Sequence, residues 1–353
     1  MSSVSKHSKP MALQLQSELN ERLAALSNSW GGELPLDDAV IEALPEGTVA
    51  QTACCYVLSA AAWSFTAKID AVNSSGVATP IFLKYVAGDL GKAQLEGEYT
   101  GMSDLHRLAP NLVPRPIAWG KLKNSVLTTY FALIEFKQFV PGLPDPAKLG
   151  ARLAAMHAKS ASPNGKFGFH LQTYDGARIQ AVGWDDSWTS FFSKLLAEAY
   201  HQDTETNRLW KELDISEGRK LTPVLIHGDL WDGNIANDSE NGDPWIFDCA
   251  AYYAHNEMEL GIWRAERHQM RAEVFREEYL RNFKASEPKN EWDGRNRLYS
   301  AKTNFMHSAC FAGSPARRLA FSDMAQLVQK YVPWDRDSPE LAAVLQAKES
   351  YRP

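Results

Sequence analysis

Two short apolar runs, Val224-Leu225-Ile226 and Trp245-Ile246-Phe247, each lead directly into a polar turn. The first breaks into His227-Gly228-Asp229, and Asn234 follows on the same stretch. The second delivers Asp248. Runs this short, bounded by turn residues, suit strands better than helices. A carboxylate on a tight loop at the end of a strand faces out of the core and is free to do chemistry. The spacing H-x-D-x-x-x-x-N, followed by apolar-apolar-Asp, is that of a phosphotransferase catalytic loop and metal-binding loop. The plain alternative is a surface turn, since Asp, Asn and Gly are the commonest turn residues. Each residue alone would suit that alternative; the four together, each group following an apolar run, favour catalysis.

The remaining chain fits a two-lobe reading, and 353 residues are enough for two lobes. Residues 1–44 hold a polar start, a helical pattern at Met11–Leu26 and a second at Leu36–Leu44. Residues 45–138 read as an N-lobe. Strand patterns at Thr48–Thr52, Cys55–Leu58, Trp63–Ile69 and Pro80–Tyr85 precede a helical stretch from Leu90 to His106, and strands at Pro116–Lys121 and Leu127–Phe136 follow. Residues 139–353 read as a larger, mostly helical C-lobe. It opens with a connector at Phe139–Pro144, a helix capped by Asp145, a loop over 160–183 and a helix with Trp188, Phe191, Phe192, Leu195 and Leu196 on its buried side. Helices are expected at Glu205–Leu213 and, with breaks near 286–288 and 313–315, from residue 260 to the end. The predicted fold class is α+β: a two-lobe protein-kinase-like fold with a small antiparallel N-lobe sheet, one main N-lobe helix, and ATP held between the lobes.

Phosphoryl transfer needs a group to orient and deprotonate the acceptor hydroxyl, oxygen ligands for Mg²⁺, and a cation on the phosphates. Asp229 fits the first role. Asn234 and Asp248 fit the second, because Mg²⁺ takes hard oxygen ligands and keeps phosphate and water in its shell. His227 is expected to brace the loop. Lys84, at the end of the apolar triplet Ile81-Phe82-Leu83, fits the third role, with Glu96 or Glu98 on the following helix as its partner. The phosphate-covering loop should be Ser59–Ser64, made of small residues but without Gly. That, and Asp248-Cys249-Ala250 in place of D-F-G, argues against an ordinary protein kinase.

Composition excludes other classes. The net charge is −6 and no basic block stands out, so nucleic acid is not an expected partner. No apolar run reaches membrane-spanning length. Four cysteines are too few for a disulfide scaffold, so reduced thiols and a cytoplasmic location are expected. The basic, Ser-containing start leaves organelle targeting open. Cys54 and Cys55 read as buried strand residues, or more sharply as offering a redox-sensitive thiol near the nucleotide.

Several stretches together resemble the fructosamine kinase (ketosamine 3-kinase) family, within the aminoglycoside-phosphotransferase-like kinases. His227-Gly228-Asp229-Leu230-Trp231-Asp232-Gly233-Asn234 resembles HGDLWxGN, and Phe247–Leu260 resembles DPAxxYGHxExEL. Lys166–His170 with Trp184, Trp188, Phe191 and Phe192 resembles the FGF…W…W..FF segment, and Phe82-Leu83-Lys84 with Leu95–Glu98 resembles the F-x-K strand and F-E-x-E helix. The resemblance implies ATP- and Mg²⁺-dependent phosphorylation of the 3-hydroxyl of a ribulosamine or fructosamine, free or on a glycated protein. The 3-phosphate decomposes and releases the amine, which is deglycation. It further implies Glu98 as the partner of Lys84, Trp231 and His255 on the acceptor side, and a hinge contacting adenine at Leu133, Ile134, Glu135 and Phe136. Cys249 stands where the family has Pro, and Ala254 where it has Gly. The rival readings are a choline- or aminoglycoside-type small-molecule kinase and a non-catalytic binding protein on the same fold.

Overall fold

The computed structural model describes residues 33–55, 64–125, 127–176, 178–203, 221–311 and 313–331. The expected helices Met11–Leu26 and Glu205–Leu213, the strand continuation Tyr56–Leu58 and the loop residues before Ser64 lie outside the described residues. The chain divides into two compact units. One comprises residues up to His106 together with Pro114–Gln138; the other comprises Arg107–Val113 together with Phe139 onward.

The first unit is built on β1 (Val49–Cys55), β2 (Phe65–Val72), β3 (Ile81–Ala87), β4 (Pro116–Lys121) and β5 (Thr129–Glu135). They form one five-stranded sheet in the order β1-β2-β3-β5-β4, antiparallel throughout. What the sequence pattern splits near residue 53 is a single strand, because a bulge between Ala50 and Thr52 shifts its register. The turn at Asn73–Gly76 closes as its residue types dictate. The Asn73 side chain accepts from the amides of Ser75 and Val77, and Gly76 takes φ +74°.

Strand periodicity divides β3 between two faces. Ile81, Leu83 and Tyr85 join Phe65, Ala67, Ile69, Phe131 and Leu133 in one core, under Leu34 and Val40 of the segment around the short helix α1 (Asp38–Glu42). Val86 packs on the other face with Ala132 and with Leu95 of the long helix α2 (Asp89–Leu108). Lys84, two residues before Val86, is on that second face.

The second unit carries α3 (Pro146–Lys159), α4 (Trp188–Asp203), α5 (Glu273–Asn282), α6 (Trp292–Cys310) and α7 (Ala316–Tyr331). Asp145 caps α3 by accepting from the Lys148 amide at 2.8 Å, and Leu149, Leu153, Met156 and His157 are its buried face. Trp188, Phe191, Phe192, Leu195 and Leu196 of α4 are all buried. The segment after residue 255 begins as a 3-10 helix, Asn256–Arg264, before true α-helix resumes at α5. Asn256–Trp263 are all buried.

Short strands frame the polar turns. β9 (Val224–Ile226) pairs with β12 (Tyr252–Ala254), and β10 (Ile235–Asp238) pairs with β11 (Pro244–Ile246). The expected connector contains β6 (Phe139–Val140), which adds to β10. The expected loop over 160–183 contains a small hairpin, β7 (Tyr174–Asp175) with β8 (Arg178–Ile179). Helices α3 and α5 pack backbone to backbone at Gly150, where a Cβ would lie 2.7 Å from the backbone of Glu278. Replacing Gly150 by Ala should therefore lower stability by roughly 1–3 kcal/mol through overpacking, read as an earlier denaturant midpoint. An unchanged midpoint would mean that the two helices are not locked together at this point.

Candidate active site

In the second unit, β9 ends at Ile226 and the chain turns sharply. Gly228 takes φ +82°, and a Cβ there would sit 2.4 Å from the Ala250 carbonyl, so only Gly fits. His227 is fully buried, and burial holds its pKa below the ordinary value. Its Nε2 lies 2.9 Å from the Phe247 carbonyl, which can only accept, so this nitrogen carries the proton. Nδ1 then accepts from the Asp229 amide at 3.4 Å. The expected brace is thus a neutral imidazole joining the two polar turns.

Asn234 is 3% exposed, and its amide nitrogen faces the Asp229 carbonyl (2.8 Å), the Asp229 carboxylate (3.2 Å) and the Asp248 carbonyl (3.3 Å). All three neighbours are acceptors, which fixes the orientation of the amide and turns Oδ1 away from them. Asp248 has φ +60°, the one non-glycine residue in the left-handed region among the described residues. Strain of this kind concentrates where a side chain must be aimed for function. Asp229, Asn234 and Asp248 are therefore brought together in one place. An Asn oxygen and a carboxylate form a hard donor pair that fits Mg²⁺ completing its shell with phosphate and water.

The Asp229 carboxyl is pushed well above the usual carboxylate range. Burial is the main cause; the charges of Asp175 and Asp248 add to it, while Lys302 and the Asn234 hydrogen bond oppose it. Trp231 lies half-buried beside this turn. Its indole covers Gly233, where a Cβ would come within 2.2 Å of the ring, and its centroid is 5.5 Å from that of His268.

His255 is placed differently from the acceptor-side expectation. It is 1% exposed, with Nδ1 on the Tyr299 hydroxyl (2.9 Å) and Nε2 on the Ser286 hydroxyl (2.8 Å). Burial pushes its pKa down to about 4. Both nitrogens are committed inside the core, so its role is to join the 3-10 helix to α6.

In the first unit, Lys84 Nζ sits 2.8 Å from Glu98 Oε2, with both side chains largely buried. Leu95, Glu98, Met102 and Leu105 follow the helical period along the buried face of α2, and Glu96 lies off that stripe. The period thus selects between the two glutamates that spacing alone left open. The expected hinge lies at the end of β5. Leu133 and Ile134 are interior strand positions, and the amides of Glu135 and Phe136 donate to the carbonyls of Arg115 and Pro80. Cys54 and Cys55 are half-buried on β1, and all four cysteines are free.

Sequence reasoning passed over Glu259. Its buried carboxylate accepts the amides of His227 and Gly228, and His157 Nε2 lies 3.5 Å away. Burial alone would raise its pKa; the contacts with His157 and the His227 amide outweigh that and hold it below the ordinary value. Glu257 is likewise buried and clamped by Arg295, with Arg295 Nε 2.8 Å from its Oε2. Both lie in the quoted H-x-E-x-E stretch, which was the signal available for them.

Among known proteins, residues 67–330 match the fructosamine kinase family. The chain belongs to that family. It is 33% identical over 197 residues to a protein-ribulosamine 3-kinase, chloroplastic, of Oryza sativa subsp. japonica, covering 52% of this chain and 56% of that protein. It is 28% identical over 216 residues to a ketosamine-3-kinase of Mus musculus, covering 52% of this chain and 68% of that protein. The chain thus spans little more than half the length of the rice relative. In fold it is similar to a candidate fructosamine-3-kinase of Haemophilus somnus 129PT (TM-score 0.61, 15% identity, 90% of this chain and 100% of that chain). It is also similar to an aminoglycoside phosphotransferase crystallised with AMP-PNP and hygromycin B (TM-score 0.52, 15% identity, 83% of this chain and 99% of that chain). The fold is accordingly that of the protein-kinase-like phosphotransferases. No helix among the described residues is long and apolar enough to cross a membrane.

A carboxylate with a lowered folded pKa stabilises the fold above its unfolded pKa, and that contribution disappears as pH falls through the folded value. The stability difference between wild type and Glu259→Gln should therefore be full at pH 7 and shrink below about pH 4.5. Denaturant titrations of both proteins at several pH values measure it. A pH-independent difference would show that Glu259 is not the charged acceptor under the turn.

Proposed function

We propose that this chain is an ATP-dependent kinase acting on the 3-hydroxyl of ketosamines, ribulosamines above all, with fructosamines as the related acceptors. The observation that carries the reading is the constellation of Asp229, Asn234 and Asp248 on two stapled turns. Membership of the fructosamine kinase family and the names of the rice and mouse relatives support the acceptor class. The bound AMP-PNP of the aminoglycoside phosphotransferase supports ATP as donor.

In this reading Asp229 accepts the proton of the acceptor's O3 as O3 bonds to the γ-phosphorus. The bond from that phosphorus to the β–γ bridging oxygen breaks, and ADP leaves with the electron pair. The raised pKa of Asp229 brings its basicity closer to neutrality than that of a solvated carboxylate. Asn234, through Oδ1, and Asp248 would hold Mg²⁺, which when bound neutralises charge on the transferring phosphate. Lys84, kept in place by Glu98, supplies a positioned cation for the nucleotide phosphates. The adenine hinge falls at the end of β5, Leu133–Phe136, where the Glu135 and Phe136 amides are already taken by the carbonyls of Arg115 and Pro80, so adenine would have to be met by groups other than these two amides. Trp231 walls the acceptor side, and the product 3-phosphate decomposes to release the amine. Small ketosamines and glycated proteins are the acceptors this scheme admits, and a cytoplasmic or organellar site of action is compatible with either.

The test is ATP consumption with a ribulosamine-modified lysine peptide, with mass analysis of the product. Asp229→Ala should cost roughly 10²- to 10⁴-fold in kcat while ATP binding stays intact. Removal of Mg²⁺ with a chelator should abolish turnover. Phosphorylation of choline or an aminoglycoside, with none of the ribulosamine, would replace this acceptor assignment.

A further inference from the structure

The β7–β8 hairpin sets a carboxylate beside the catalytic loop that the phosphotransferase machinery does not use. Asp175 pairs through its backbone with Arg178, and the hairpin is tied down by Gln180 just beyond it. Gln180 Nε2 donates to the Ala250 carbonyl (3.2 Å), and the Ala250 amide donates to the His227 carbonyl (2.9 Å). Gln180 Oε1 accepts from Lys302 Nζ at 2.8 Å, and Lys302, 2% exposed, stands 3.5 Å from Asp175 Oδ2. The hairpin is thereby anchored to the two turns that carry Asp229 and Asp248.

The Asp175 side chain retains 19% of its accessible surface, and among the described residues it accepts no side-chain hydrogen bond. Its distance from Lys302 exceeds that of a charge-assisted hydrogen bond, so Lys302 lowers the cost of the charge without saturating the carboxylate. The contacts from Asp175 to Lys302, Lys302 to Gln180, Gln180 to Ala250 and Ala250 to His227 place Asp175 on the flank of the turn that carries Asp229. Arg267 also lies in the field of Asp175 and Asp229, but it donates to Asn304 on α6. Asp229 is committed to the acceptor hydroxyl and Asp248 to the metal side, so Asp175 is the carboxylate of this neighbourhood that the phosphoryl-transfer scheme leaves to another ligand.

A ketosamine carries a cation at the right remove. Its amine follows the reacting oxygen along O3–C3–C2–C1–N, and a secondary amine there is protonated near neutral pH. With O3 at Asp229, the ammonium falls within reach of a carboxylate beside Asp229. We propose that Asp175 receives the protonated amine of the acceptor and so selects ketosamines over uncharged ketoses. This rests on the ketosamine kinase reading. The ligand chemistry is a secondary ammonium next to a ketone, carried by a small amine or by a protein lysine.

The experiment compares wild type with Asp175→Asn on three acceptors: ribulosyl-butylamine, a ribulosyl-lysine peptide, and N-acetylated ribulosyl-butylamine, which keeps O3 and the ketone but has no charge. Asp175→Asn should raise KM for both amine-bearing acceptors by roughly 10- to 100-fold, since a hydrogen bond to a charged group is lost. Any change in kcat that follows from the Asp175 charge acting on Asp229 should be the same for all three acceptors. For the N-acetylated compound, KM, or Ki against the peptide if it is not turned over, should stay the same. Asp175→Glu should recover part of the loss. An equal shift on the uncharged compound overturns the proposal, as does a fall in kcat at constant KM. A shift confined to the peptide also overturns it, because the contact would then be to protein rather than to the amine. Should the Asn variant fail to fold by thermal melting, wild type alone decides: no preference for charged over N-acetylated acceptor refutes the assignment. A wild type that phosphorylates no ketosamine at all removes the functional reading itself, an outcome distinct from ketosamine turnover that is indifferent to Asp175.

Discussion

The carboxylate of Glu259 lies under the turn at His227-Gly228 and accepts both of its amide hydrogens, and the second unit's chemistry depends on that turn keeping its shape. Two adjacent amides pointing into a core would otherwise be unsatisfied, at a cost of about 1–3 kcal/mol each. Glu259 removes that cost, and the same two amides offset the burial of its carboxylate, with His157, held by the Tyr279 hydroxyl, 3.5 Å away. From this anchor the order propagates outward. His227 is fixed and links to the Phe247 carbonyl; the Asp229 amide is fixed by His227; and Asn234 spans the backbones of Asp229 and Asp248. A strained Asp248 at φ +60° can persist only because the chain on both sides of it is held in this way.

Much of the fold and part of the site were legible in the sequence for one reason: the signals lie close together along the chain. The period-two strands of the first unit, the Asn73 turn, the Asp145 cap and the aromatic face of α4 are each written within a single element. So is the catalytic spacing, because the Asp–Asn pair shares one loop. The bulge in β1 and the hairpin at Tyr174–Ile179 were not legible, since both are settled by the partner strand rather than by local pattern. The choice of Glu98 over Glu96 stands between these cases. It follows from the stripe Leu95, Met102 and Leu105, once the helix is known to bury that face.

His255 shows what a motif leaves open. A motif reports that a residue type is required, and a buried hydrogen-bond junction requires a histidine as strictly as a ligand contact does. With Tyr299 on one nitrogen and Ser286 on the other, His255 satisfies two hydroxyls from separate segments inside an aromatic cluster with Trp188. The family departures lie in similarly buried places. Ala254 is fully buried in β12 opposite Val224, where a side chain packs better than the family's Gly would. Cys249 is 6% exposed, beside the metal-side aspartate, and does not replace an oxygen donor.

The two halves of the reaction therefore differ in how they are encoded. Phosphate chemistry makes the same demand of every acceptor, so its residues keep fixed spacings on one or two loops and are readable from one sequence. The acceptor contact proposed for Asp175 depends instead on what the fold brings nearby: Asp175 from a two-residue strand, Lys302 from the middle of α6, Gln180 from the end of a hairpin. None of these has a spacing relation to Asp229 that a pattern would capture. Only the closing contacts, Gln180 to Ala250 and Lys302 to Gln180, make them part of the site. On that proposal, specificity can change through Asp175 while the loop at Val224–Asp248 stays the same, because the hairpin is joined to the turns by the Gln180 bond to the Ala250 carbonyl and not by a shared backbone segment.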